Sequence, residues 1–161
     1  MKKVLIVMGS DSDLPVVKKA VDALEELSVE YEVHISSAHR APAKTEVLAK
    51  QAEENGFGVI IAAAGGAAHL AGVIAAQTPL PVIALPIQSG ALNGLDALYA
   101  MVQMPAGIPV ATVAINGAKN AGLLAAQILA VEDVALSQRM KAQKEKMRQG
   151  VEKKDELLQK L

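Results

Sequence analysis

The run KVLIVMGSDSDLPVVKKAVDALEEL, residues 3–27, decides the architecture. It opens with a short apolar stretch, Lys3–Met8, turns through Gly9–Asp13 and leaves as a helical pattern over Leu14–Leu27. Asp13 is placed to cap the helix, and Pro15 falls in its first turn, where a missing N–H costs nothing. The same order recurs down the chain. The later apolar runs are Glu30–Ile35, Gly58–Ala63, Pro81–Pro86 and Pro109–Ile115, and the later helical patterns are Pro42–Asn55, Ala67–Gln77, Leu95–Gln103 and Ala118–Ala130. Gly56 follows Asn55 as a helix stop. Strands alternating with helices predict a parallel sheet joined by right-handed crossovers. The reading is an α/β, flavodoxin-like three-layer sandwich with five strands in the order 2-1-3-4-5.

Composition fits that reading and excludes others. The 161 residues suit one compact α/β domain, assigned to residues 1–130, with a charged segment, residues 131–161, appended. Hydrophobic residues reach 52% while aromatics are only 2%, so Ala, Val, Ile and Leu must build the core, as in a sheet covered on both faces. With a net charge of −1, no Trp and one Phe, neither a basic field nor a base-stacking platform for nucleic acid is expected. No apolar run reaches the roughly 18 residues of a membrane span, and VLIVMG is too short for a signal peptide's apolar region. The absence of cysteine removes disulfides, thiolate metal sites and a Cys nucleophile. A cytoplasmic protein is the default.

The appended segment is dense in charge and helix formers. Leu136, Met140, Met147, Val151 and Leu158 form a narrow seam on one helix face, interrupted by Gly150. So thin a stripe must dock elsewhere, on this subunit or on a neighbour. A neighbouring subunit is the expected surface, because the five-stranded core reads as complete without the segment.

In a parallel sheet the strand C-termini open onto one edge, where ligands bind. The loops on that edge are GSDSD (9–13), SSAHRAP (36–42), AGGAAH (64–69), IQSGALNG (87–94) and NGAKN (116–120), whereas the opposite connections are short and plain. Ser10, Ser12 and Asp13 are accounted for by helix capping when taken alone; placed around a ligand, the same hydroxyls and helix terminus suit a phosphate or ribose. Asp11 and Asp13 lack the further ligands of a metal site, so no metal is expected. The two glycines of AGGAAH permit close approach to an anion or a planar ring, and equally a tight turn. His69 opens the next helix, where a packed structural role accounts for it as well as a chemical one. His34, mid-strand, reads as structural.

His39 differs from both. It stands on the ligand edge beside Arg40, with no reason in the sequence to be core. There it can exchange a proton near neutral pH while Arg40 grips a phosphate through two donors. Neither a dinucleotide fingerprint, nor a P-loop, nor a G-x-S-x-G nucleophile elbow is present. The residues alone describe a site for a small anionic ligand with one proton-transfer histidine.

Taken together, MGSDSD, SAHRAP, AGGAAHLAG, LPVIALP, LNGLDAL and VQMPAGIPVATVAINGAKNAGLLAAQIL resemble class I N5-carboxyaminoimidazole ribonucleotide mutases, enzymes of purine biosynthesis, in register from Val4 to about Leu129. The resemblance implies conversion of the N5-carbamate of aminoimidazole ribonucleotide into the isomer carboxylated on the ring carbon. It implies no metal, ATP or biotin, and a homo-octamer with sites near subunit boundaries. His39 matches the family's general acid/base. Ser10 and Arg40 match residues near the phosphate and Asp13 one near the ribose; Ser37, Gly65, Gly66 and Ala67 would line the pocket, and His69 matches the histidine of GGAAH. The chain departs from the family pattern at Ala41 and Ala71, where Thr and Pro are usual. Two other readings remain at this stage: direct carboxylation of aminoimidazole ribonucleotide by free carbon dioxide, and a non-catalytic nucleotide-binding or assembly module.

Overall fold

In the computed structural model, residues 2–160 are described. Five strands alternate with helices: β1 Lys3–Met8, α1 Leu14–Glu26, β2 Tyr31–Ile35, α2 Pro42–Gln51, β3 Phe57–Gly65, α3 Leu70–Ala75, β4 Val82–Ile87, α4 Leu95–Val102, β5 Ala111–Thr112 and α5 Ala118–Ala130. A final helix, α6, spans Val134–Leu158. The sheet runs β2-β1-β3-β4-β5 with every pairing parallel, the order predicted from the sequence.

The apolar runs carry no polar alternation because both faces are covered. Val4, Ile6 and Met8 of β1 with Val59, Ile61 and Ala63 of β3 pack against α1 and α5. Leu5 and Val7 with Ile60 and Ala62 pack on the other face, against α2, α3 and α4. The period of two along each strand thus feeds two separate cores. On the first face α1 and α5 approach very closely. A Cβ built on Gly122 would lie 2.6 Å from the Ala20 carbonyl oxygen, so only glycine permits the contact.

Several boundaries moved, each for a local reason. Helix α3 starts at Leu70, because Gly66 at φ 61° and Ala68 at φ 43° hold left-handed backbone that cannot continue as helix. Strand β5 shrinks to two residues on the sheet edge, with single bonds from Val113 N to Ala84 O and Asn116 N to Pro86 O continuing the ladder. Helix α2 stops at Gln51, and a turn through Gly56 at φ 84° leads into β3. The C-terminal seam divides. Leu136 and Met140 are buried in the α1/α5 core, and Arg139 Nε donates to the Leu27 carbonyl at 2.8 Å, whereas Met147, Val151 and Leu158 are exposed. The first turns of α6 are therefore part of the body, and its outer half projects.

Candidate active site

Four of the five edge loops meet in one open cleft of about 420 Å³. Every residue singled out from the sequence lines it: Ser10, Asp13, Ser37, His39, Arg40, Gly65, Gly66, Ala67 and His69. His34 stands apart on edge strand β2, its Nε2 3.5 Å from the Glu32 carboxylate.

The loop after β1 coils into a 3-10 turn, Asp11–Asp13, before α1 begins. Ser10 caps that turn, its Oγ accepting from Ser12 N at 3.4 Å and from the Ser12 hydroxyl at 3.1 Å. Asp13, the residue read as the helix cap, makes no side-chain capping bond. It is 7% exposed, and burial pushes its carboxyl above the ordinary value of 3.8, with the Ser10 backbone N–H opposing and the Asp11 charge adding. A buried carboxylate that does not cap is available to a ligand hydroxyl.

The loop after β2 is a tight turn. Ala41 N donates to Ser37 O at 2.9 Å and Arg40 N to Ser37 Oγ at 3.2 Å, which pushes His39 and Arg40 outward over the cleft. Among the described residues Arg40 takes part in no ion pair. His39 Nε2 lies 2.8 Å from His69 Nδ1, the rings meeting edge to face with centroids 4.9 Å apart. One nitrogen of that contact must be unprotonated to accept, so the two imidazoles share a single proton there.

The loop after β3 supplies the floor. Gly66 N donates to Ser89 Oγ at 3.1 Å, and a Cβ on Gly65 would sit 2.8 Å from that same oxygen. Glycine is needed at 65 for space and at 66 for backbone conformation. The fifth loop does not line the cleft but props it. Asn116 Oδ1 accepts from Gln88 N at 2.9 Å, and its Nδ2 donates to Gln88 Oε1 at 3.2 Å.

Sequence reasoning missed Ser89 and the histidine pair. Ser89 lay in a loop already assigned to the ligand edge, but one hydroxyl among several carried no distinguishing signal. His39 and His69 follow strands separated by β1 in the sheet, so their contact depends on how far each loop leans across it. Among the described residues, no group of three or more His, Asp or Glu side chains is placed to hold a metal ion.

The comparisons point one way. The family model described as AIR carboxylase matches residues 3–150. The N5-carboxyaminoimidazole ribonucleotide mutase of Thermotoga maritima is 53% identical over 161 residues, covering 100% of this chain and 94% of its own. That of Pyrococcus abyssi is 57% identical over 148 residues, covering 92% and 85%. A crystal structure of PurE from Treponema denticola superposes with a TM-score of 0.87 at 31% identity, covering 95% of this chain and 96% of that one. With the family pattern matched along almost its whole length, the chain belongs to the AIR carboxylase family.

Proposed function

We propose that this protein isomerises N5-carboxyaminoimidazole ribonucleotide to 4-carboxy-5-aminoimidazole ribonucleotide in purine biosynthesis. The observation that carries the reading is the convergence of His39, Arg40, Ser10 and Asp13 on one cleft, in a chain whose relatives bear the mutase name. Arg40 and Ser10 hold the phosphate, Asp13 the ribose, and Ser37 with the Gly65–Ala67 backbone lines the base pocket.

The proton balance suits one histidine. Breaking the N–carboxylate bond leaves an amine that must gain a proton, and forming the new carbon–carbon bond makes the ring carbon lose one. His39 donates in the first half and accepts in the second, and so returns to its starting state. Its Nε2 is engaged by His69, so Nδ1 is the ring nitrogen outside that contact. Ala38, Ala64, Ala67, Ala68 and Leu70 give the cleft an apolar wall against which released carbon dioxide would sit, held in place once bound nucleotide fills the opening.

The same reading has the enzyme work in the cytoplasm, without metal, ATP or biotin, as a homo-octamer. Exposed apolar residues support the assembly: Leu95, Tyr99 and Val102 recur along one face of α4, near the exposed Leu92. The outer half of α6, within the appended segment 131–161, packs on a neighbour. No described helix is long and apolar enough to cross a membrane.

The test compares turnover of the N5-carbamate with that of aminoimidazole ribonucleotide plus bicarbonate, for the parent and His39→Asn. The expected result is mutase turnover, reduced at least about 100-fold in the variant with nucleotide affinity kept. Faster use of free carbon dioxide would make the protein a carboxylase, a name borne by the chloroplastic relative from Vigna aconitifolia, 50% identical over 154 residues. No turnover with nucleotide still bound would make it a binding module.

A further inference from the structure

Helix α2 begins without the usual support. Its N-cap residue is Ala41, which offers no side-chain bond, and its first residue is Pro42. The loop before it, Ser36 to Ala41, nevertheless carries four of the residues lining the cleft, Ser37, Ala38, His39 and Arg40. Something else must fix it.

Beneath the loop lie two hydroxyl side chains that the chemistry described so far does not use. Ser36 is 2% exposed and Thr45 is 0% exposed. Their oxygens are 2.8 Å apart, and Thr45 Oγ1 is 3.2 Å from the Ala41 carbonyl oxygen. A carbonyl only accepts, so Thr45 donates to Ala41 and Ser36 donates to Thr45. Ser36 N in turn donates to Met8 O at 2.9 Å, tying the chain to β1. The bonds from Arg40 and Ala41 to Ser37 shape the turn from within. The hydroxyl chain instead joins the loop's two ends across its base.

We propose that Ser36 and Thr45 are positioning residues: a buried clasp that holds the His39–Arg40 turn at a fixed height over the cleft. The inference rests on the roles proposed above for His39 and Arg40. Buried hydroxyls left without a partner are costly, so each also enforces the presence of the other.

Three variants test this: Thr45→Val, Thr45→Ser and the double change Ser36→Ala with Thr45→Val. Thr45→Val strands the Ser36 hydroxyl and frees the turn, so kcat falls by about 10- to 100-fold, the scale of a misplaced catalytic group. Thr45→Ser keeps the clasp and restores turnover. The double variant leaves no buried orphan and regains most of the parent's melting temperature, but its turnover stays low, which a purely structural pair would not do. Histidine-ring NMR without substrate gives a second readout, with the His39 signals shifted or broadened in the double variant and parental in Thr45→Ser. A double variant with parental kcat and parental His39 signals would overturn the clasp. A parent without mutase turnover would sink the functional reading alone, since the ring signals still decide whether the clasp holds the loop.

Discussion

Asp13 sits at the cleft as a buried carboxylate, and its stability effect runs against its use. With its folded pKa raised above 3.8, the ionised form is disfavoured by burial. The folded state therefore holds its proton more tightly than the unfolded chain, and stability falls as pH rises through that window. Asp13→Asn removes the penalty. It is expected to raise the melting temperature of the ligand-free protein at neutral pH, a gain that shrinks as pH drops toward 3.8, while weakening nucleotide binding. Melting curves from pH 4 to 7 check this; a variant less stable than the parent at pH 7 would contradict the burial argument. Residues of this kind were legible in the sequence because parallel-sheet geometry sends every edge loop to one place, so GSDSD, SAHR and AGGAAH had to converge. What each side chain touches was not. Asp13 read as a cap and caps nothing, and the bond between His39 and His69 depends on loop conformations that no residue pattern encodes.

Elements were readable where their hydrophobic period was strong. All five strands and the five helices that follow them formed where expected, because buried apolar runs and helical periodicity leave few alternatives. Their ends were not readable, since Ala68 takes left-handed backbone without being glycine and β5 has a partner on only one side. Packing between elements was invisible too, and Gly122 is the clearest case. Glycine to alanine within a helix normally gains about 1 kcal/mol. Here the added methyl would meet the Ala20 carbonyl oxygen at 2.6 Å, and a backbone atom cannot swing away. Overpacking of this sort costs about 1–3 kcal/mol and should win. Gly122→Ala is expected to lower the melting temperature by roughly 2–4 °C for each kcal/mol of net loss. A melting temperature that holds or rises would mean that α1 and α5 separate freely.

At the scale of the molecule, α6 is two structures in one helix. Its first turns complete the α1/α5 core through Leu136 and Met140, and Asp133 caps them by accepting from Leu136 N at 2.8 Å. From Lys141 to Leu158 it runs on for about 27 Å, with the Arg148 ion pairs to Glu145 and Glu152 on its surface. Removing residues 142–161 is expected to lower the assembled mass in light scattering without melting the core, whereas a cut at 131 also takes away Leu136 and Met140. An unchanged mass on the shorter truncation would place the subunit contacts elsewhere, with the α4 face first in line. The exposed arm is also where proteolysis is expected to begin. Lys144, Lys146 and Arg148 stand on the exposed outer part of α6, past Met140, the last buried residue among those described, so fraying of the helix end brings them within reach of trypsin-like proteases. Limited trypsin digestion is therefore expected to trim a dilute, dissociated sample back toward Met140 and to spare the tail at concentrations where the mass in light scattering is highest; equal trimming at both would mean that no neighbour covers it.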